Sequence, residues 1–147
     1  MAMMYAFKKN QTSLVDRLIC WQTKGPYCHV ASILVDNGDG TYTIGQSLPG
    51  TGVQIVTGQT LPAADWDIVE GPGDVATATT WFTEKSGDAY DYLGLFGFVF
   101  RPFTILSRTK FWCSEASLFA AGMRIGWRMD PNSMANLCFD MKALGLL

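Results

Sequence analysis

The cluster Asp36-Asn37-Gly38-Asp39-Gly40 constrains this chain more than any other stretch. Asn, Asp and Gly tolerate the left-handed backbone that a tight reversal needs. The flanking runs, Tyr27 to Val35 and Thr41 to Gln46, are rich in β-branched and apolar residues. They are predicted to pair as an antiparallel hairpin. Further short strands are predicted at Val53 to Thr57 and Trp66 to Glu70, bounded by Gly- and Pro-containing loops. The hairpin loop has some likeness to a calcium loop. However, Gly38 and Gly40 stand at two ligand positions, and Ser47 stands where the closing Glu is needed. It reads as a turn. Gly50-Thr51-Gly52 is followed by strand-like residues instead of a helix, so it builds no pyrophosphate site.

Helical periodicity takes over elsewhere. Thr12 to Lys24 reads as an amphipathic helix with Leu14, Leu18 and Trp21 on one stripe and Val15 and Ile19 beside them, ended by Gly25-Pro26. Asp74 caps a helix predicted to run to Lys85. Cys113 to Gly122 is Ala-rich with Glu115 in the first turn, which suits a helix N-terminus. Asp130-Pro131 reads as a cap with proline at the first helical position. Met134, Leu137, Cys138, Met141 and Leu144 follow at helical spacing, which makes Cys138 a core thiol. Asp88 to Phe100 is aromatic and interrupted by glycine, and fits a short helix without demanding one. The expected class is α+β: a helix, an antiparallel sheet of about four to six strands, then helices packed on it. One domain over residues 1–147 accounts for the length.

Composition removes several functions. Hydrophobic residues make up 48% of the chain, enough for a core. Lys and Arg number 11 against 13 Asp and Glu, so the basic excess that draws a phosphate backbone is missing and no nucleic-acid partner is expected. The longest apolar run, Tyr92 to Phe100, falls well short of the roughly 20 residues of a membrane span. At the N-terminus a short apolar stretch precedes Lys8 and Lys9 with no long apolar run after it, which is not a secretory signal. Synthesis in the cytoplasm is expected, with export needing a carrier. The four cysteines lack C-x-x-C spacing and are expected to be free thiols. A zinc site from Cys20, Cys28 and His29 lacks a second ligand pair, and no metal or cofactor is expected.

Two residues carry the chemistry. His29 is the only histidine, so any imidazole work near neutral pH falls to it. Strand alternation puts His29, Ala31, Ile33 and Val35 on one face and turns Cys28 away from the ring. Cys113 stands where a loop meets a helix N-terminus, whose free amides and dipole favour a thiolate and can hold an oxyanion. Each also has a plain reading, as a structural histidine and as a small apolar residue at a helix end. A third polar group is needed to orient the ring. If Val35 pairs with Thr41, His29 lies opposite Ser47; a one-residue shift brings Gln46 there. Gln46 has the longer reach.

These residues in this order resemble a known family. Gly25-Pro26-Tyr27-Cys28-His29-Val30, a hairpin, Gly52-Val53, Trp66-Asp67-Ile68-Val69, Tyr90-Asp91-Tyr92-Leu93-Gly94 and Trp112-Cys113-Ser114-Glu115 are similar to the circularly permuted NlpC-like branch of the papain-superfamily cysteine hydrolases, including small bacteriophage and prophage forms. The likeness runs from about residue 12 to residue 125. Unpermuted members carry the cysteine helix first, whereas here the histidine strand precedes it. The resemblance implies a permuted papain-like fold with Cys113 as nucleophile, His29 as general base, and Gln46 or Ser47 as the orienting residue. It also implies an oxyanion site from the Cys113 backbone amide and Tyr90, unless Tyr90 is simply core. The chain departs from the family in carrying Cys28 before the histidine and no His, Asp or Glu at the third position.

The implied function is a cysteine peptidase or amidase that cleaves peptidoglycan stem peptides. Delivery to the cell wall would come through a phage tail or other virion protein, or through a lysis pore. Two other expectations stand beside it: a non-catalytic structural or adaptor module of a virion or secretion apparatus, and an acyltransferase or lipid hydrolase on the same fold.

Overall fold

The computed structural model describes residues 2–92, 110–123 and 129–147. Five strands form one sheet: β1 (Ala2–Lys8), β2 (His29–Asp36), β3 (Tyr42–Leu48), β4 (Gly52–Gln59) and β5 (Trp66–Asp74). Their order is β4-β3-β2-β1-β5, and every pairing is antiparallel. Four helices are present among the described residues: α1 (Leu14–Thr23), α2 (Val75–Lys85), α3 (Cys113–Ala120) and α4 (Pro131–Ala143). The class is α+β, as expected. Most of the segment from Asp88 to Phe100 lies outside the described residues.

The chain opens with a strand and not a helix. β1 sits between β2 and β5 and is buried on both sides, with Met3, Tyr5 and Phe7 on one face and Ala6 on the other. A strand covered on both faces loses its apolar/polar alternation, which is why its sequence carries no strand signature.

One face of the sheet packs against α2, α3 and α4. Val30, Leu34, Val53 and Val69 meet Phe82, Ala116 and Met134 there in a single apolar cluster. The far face carries Ala31, Ile33 and Ile44 with Leu61, flanked by half-buried Trp66 and Ile68. Caps start the helices where the polar residues fall. Asp74 accepts from the Thr77 amide, and Asp130 accepts from the amides of Asn132 and Ser133.

The orientation of α1 differs from its apolar pattern. Leu14, Leu18 and Trp21 face outward, with Leu14 82% and Trp21 70% exposed, while Ile19 and Val15 pack on Tyr90 and Trp112. A capping box between Ser13 and Asp16 sets the roll of this helix. The Asp16 carboxylate also accepts from Thr12 and the Lys8 ammonium, which turns that edge toward the end of β1.

Register in the central hairpin is shifted from the expected pairing. Val35 pairs with Thr43 and not Thr41, because the loop reaches as far as Thr41, whose carbonyl accepts from the Asn37 amide. A bulge between Ile33 and Val35 then resets the ladder to Ile33↔Ile44 and Ser32↔Gly45.

At Gly45 the Phe82 ring of α2 lies against the bare backbone of β3. A Cβ there would clash with Phe82 Cδ2. Gly45→Ala is expected to cost about 1–3 kcal/mol by overpacking, read as a lower urea midpoint; an unchanged midpoint would contradict this close approach.

Candidate active site

His29 is the first residue of β2, and its ring is buried on the far face of the sheet. Nε2 lies 3.0 Å from Gln46 Oε1. A carboxamide oxygen only accepts, so Nε2 carries the proton and Nδ1 keeps its lone pair. Extending the ladder past Ser32↔Gly45 puts Gln46 diagonal to His29, across from the small Ala31. That diagonal suits a long side chain. Ser47 points to the other face, where its hydroxyl donates to the Phe111 carbonyl at 2.5 Å. Ser47 is therefore not the partner of the ring, and alternation along β3 is the reason. Trp66 stands edge-on to the imidazole, ring centroids 6.1 Å apart, because Lys8 pairs with both His29 and Trp66.

Burial pushes the ring down to about 4; the bond to Gln46 works against that shift, while the Lys8 ammonium adds to it and Asp16 opposes it. At neutral pH the imidazole is uncharged.

Cys113 is the first residue of α3, with Trp112 at the N-cap and Glu115 reaching back to the Trp112 amide. Its thiol is only 1% exposed and belongs to the apolar cluster containing Val30 and Leu34. The backbone amides of Val30, Ser114 and Cys113 itself favour its anion. Desolvation outweighs them, and burial pushes the thiol up to about 12. The resting group is thus a neutral thiol and not the thiolate expected from the helix tip. No hydrogen bond among the described residues joins the sulfur to the imidazole. The thiol packs in the cluster with Val30, one residue beyond His29, on the helix-covered face of the sheet, whereas the ring lies with Trp66 on the other face.

Tyr90 is brought to this point by a short parallel bridge between Ala89 and Lys110, in which the Phe111 amide donates to the Ala89 carbonyl at 3.1 Å. It packs with Ile19 and Trp112. Its hydroxyl is held well above the ordinary phenol range, first by burial and next by the charge Cys113 would carry. Tyr90 is a core residue, packed beside Trp112 at the start of α3.

Sequence reasoning missed Lys8, Asp16 and Trp66, all three placed by β1 and the turn that follows it. It also missed Glu115 as a titrating group. Burial raises that carboxyl to about 7, the Trp112 amide opposes the shift, and the charge of buried Asp91 adds to it.

No family model and no curated protein matches this chain. Among the described residues no group of three or more His, Cys, Asp or Glu could hold a metal ion. Cys20, Cys28 and His29 form no such group, since the His29 ring lies with Trp66 on the far face of the sheet. No helix of the described residues is long and apolar enough to cross a membrane.

His29 and Glu115 impose opposite pH dependences on stability. The ring, lowered from 6.5 to about 4, contributes stability that is present above pH 6.5 and lost as pH falls toward 4. The carboxyl, raised from 4.5 to about 7, contributes stability that is present below pH 4.5 and lost as pH rises toward 7. The two offset each other between these ranges. Glu115→Gln is expected to lose roughly 2 kcal/mol as pH falls from about 6.5 to 4.5, and His29→Asn to gain a similar amount over that interval. Urea unfolding at several pH values reads both slopes; two variants with the wild-type profile would contradict these burials.

Proposed function

We propose that this domain is a cysteine hydrolase of the permuted NlpC-like type, acting on amide bonds of peptidoglycan stem peptides and carried to the cell wall with a phage particle. One observation supports it most: Cys113 opens helix α3 and is buried against Val30, in the strand whose first residue is a buried, neutral imidazole held by Gln46. The order of strands and helices is compatible with a permuted papain-like arrangement. The substrate class rests on the family likeness of the sequence.

In this reading the His29 ring must turn, as substrate enters, from the far face of the sheet to the α3 side, where Nδ1 can meet the thiol. The sulfur attacks the carbonyl carbon while its proton passes to Nδ1, the nitrogen that the resting bond of Nε2–H to Gln46 leaves unprotonated. The oxyanion is held by the Cys113 amide and the Tyr90 hydroxyl. The C–N bond then breaks, and Nδ1–H protonates the departing amine. Water, deprotonated by the same nitrogen, cleaves the thioester and returns the thiol. Gln46 is a positioning residue: it fixes the tautomer without touching the reacting atoms.

A non-catalytic virion module is the second reading, favoured by the near-complete burial of Cys113 and its lack of a hydrogen bond to the ring. Purified sacculi separate the two. The wild type is expected to release peptide fragments, and Cys113→Ala to lose at least about 1,000-fold of that rate. Equal release by both proteins, or none by either, rejects cleavage by this thiol.

A further inference from the structure

Helix α1 turns an apolar ridge to the outside. Leu14, Leu18 and Trp21 follow one another at helical spacing and are 82%, 37% and 70% exposed. Single apolar side chains on a surface are ordinary, but a continuous row of them marks an interaction site. The ridge is also held in place. The capping box of Ser13 and Asp16, with the Lys8–Asp16 ion pair at 3.4 Å, fixes the roll of the helix before any partner arrives. Little ordering remains to be done on binding.

Charge says what the partner brings. The ridge borders an open recess of about 740 Å³, and the charged side chains among its described lining residues are Arg17 and Lys24, both exposed. Asp16, the acidic residue of α1, is turned to the other edge, where its carboxylate accepts from Lys8, Thr12 and Ser13. The whole chain carries a net charge of −2, so the positive field belongs to this face and not to the molecule. A second copy docked by the same face would set these cations against their own images, a like-charge pairing. An anionic lipid surface answers both requirements. Its phosphates meet Arg17 and Lys24, whose apolar stems lie along the ridge while their charged ends reach the headgroups. Its acyl boundary takes Leu14 and Leu18, and the amphipathic ring of Trp21 suits the headgroup level.

We propose that α1 docks flat on anionic phospholipid bilayers, with Leu14, Leu18 and Trp21 inserted at the headgroup boundary and Arg17 and Lys24 on lipid phosphates. The attachment is peripheral and does not cross the bilayer. It is independent of the hydrolase reading and of Cys113. Val15 and Ile19, on the inner side of the helix, stay packed on Tyr90 and Trp112.

Cosedimentation of the full chain with vesicles tests this. Vesicles of equal parts phosphatidylglycerol and phosphatidylcholine are expected to bind about 30-fold more tightly than vesicles of phosphatidylcholine alone, from the pull of two cations. Arg17→Gln combined with Lys24→Gln is expected to abolish that preference. Trp21→Ala is expected to weaken binding to the anionic vesicles by about tenfold, with an unchanged urea midpoint because the ring is exposed. Should that midpoint fall, Leu14→Gln, at the most exposed position of the ridge, repeats the test. No binding to the anionic vesicles overturns the proposal and leaves the ridge to an acidic protein groove. Equal binding to both vesicles, wild-type binding by the ridge variants, or a dimer in solution that Trp21→Ala splits overturns it as well.

Discussion

The Ser47 hydroxyl donates to the Phe111 carbonyl in a dry interior, and the position of the α3 tip depends on that bond. Phe111 lies two residues before Cys113, and its amide is held in turn by Ala89. The segment entering α3 is thereby pinned from both sides, to β3 by Ser47 and to the Tyr90 segment by Ala89. Removing either partner of such a buried bond leaves a polar group without water and costs more than the bond contributes when made. Neighbouring Gln46 holds the imidazole on the opposite face. Two consecutive residues of β3 therefore control both halves of the candidate site, and the pleat of one strand decides which half each controls.

Electrostatics at the site follow from dryness more than from charge. Amides at a helix start stabilise a thiolate in water-accessible sites, but here the desolvation of sulfur is larger and the thiol stays protonated. Desolvation likewise keeps the ring neutral. A neutral thiol and a neutral imidazole can still react if proton transfer accompanies attack, and the tautomer set by Gln46 leaves Nδ1 as the base. Lys8 and Asp16, paired at 3.4 Å, add opposing fields on the ring from the same side of the sheet.

Much of the fold was legible because local chemistry and global packing agree. The Asp36–Gly40 turn, the caps Asp74 and Asp130 and the helix at Cys113 all appear where their residues point. What escaped was β1, whose two buried faces erase the alternation on which a strand reading depends. Losing β1 also hid Lys8 and Trp66, since both reach His29 only through its pairings. The roll of α1 was misread for a different reason. Its apolar stripe is genuine, but the Asp16 cap and its ties to Thr12 and Lys8 turn Leu14 and Trp21 to the surface. Gln46 was within reach of sequence reasoning, although the register behind it was not: a bulge at Ile33/Val35 and a longer loop moved the ladder, and the length of the side chain made up the difference.

The dependence of Cys113 alkylation on pH tests most directly whether the ring serves the sulfur. Mass-mapped iodoacetamide rates at Cys113 would be compared between wild type and His29→Ala. Base assistance by an imidazole titrating at about 4 predicts a wild-type rate that levels off above roughly pH 5, while the variant climbs about tenfold per pH unit through the neutral range as the thiol alone ionises. The same tenfold climb in both proteins would show that His29 and Cys113 do not act together.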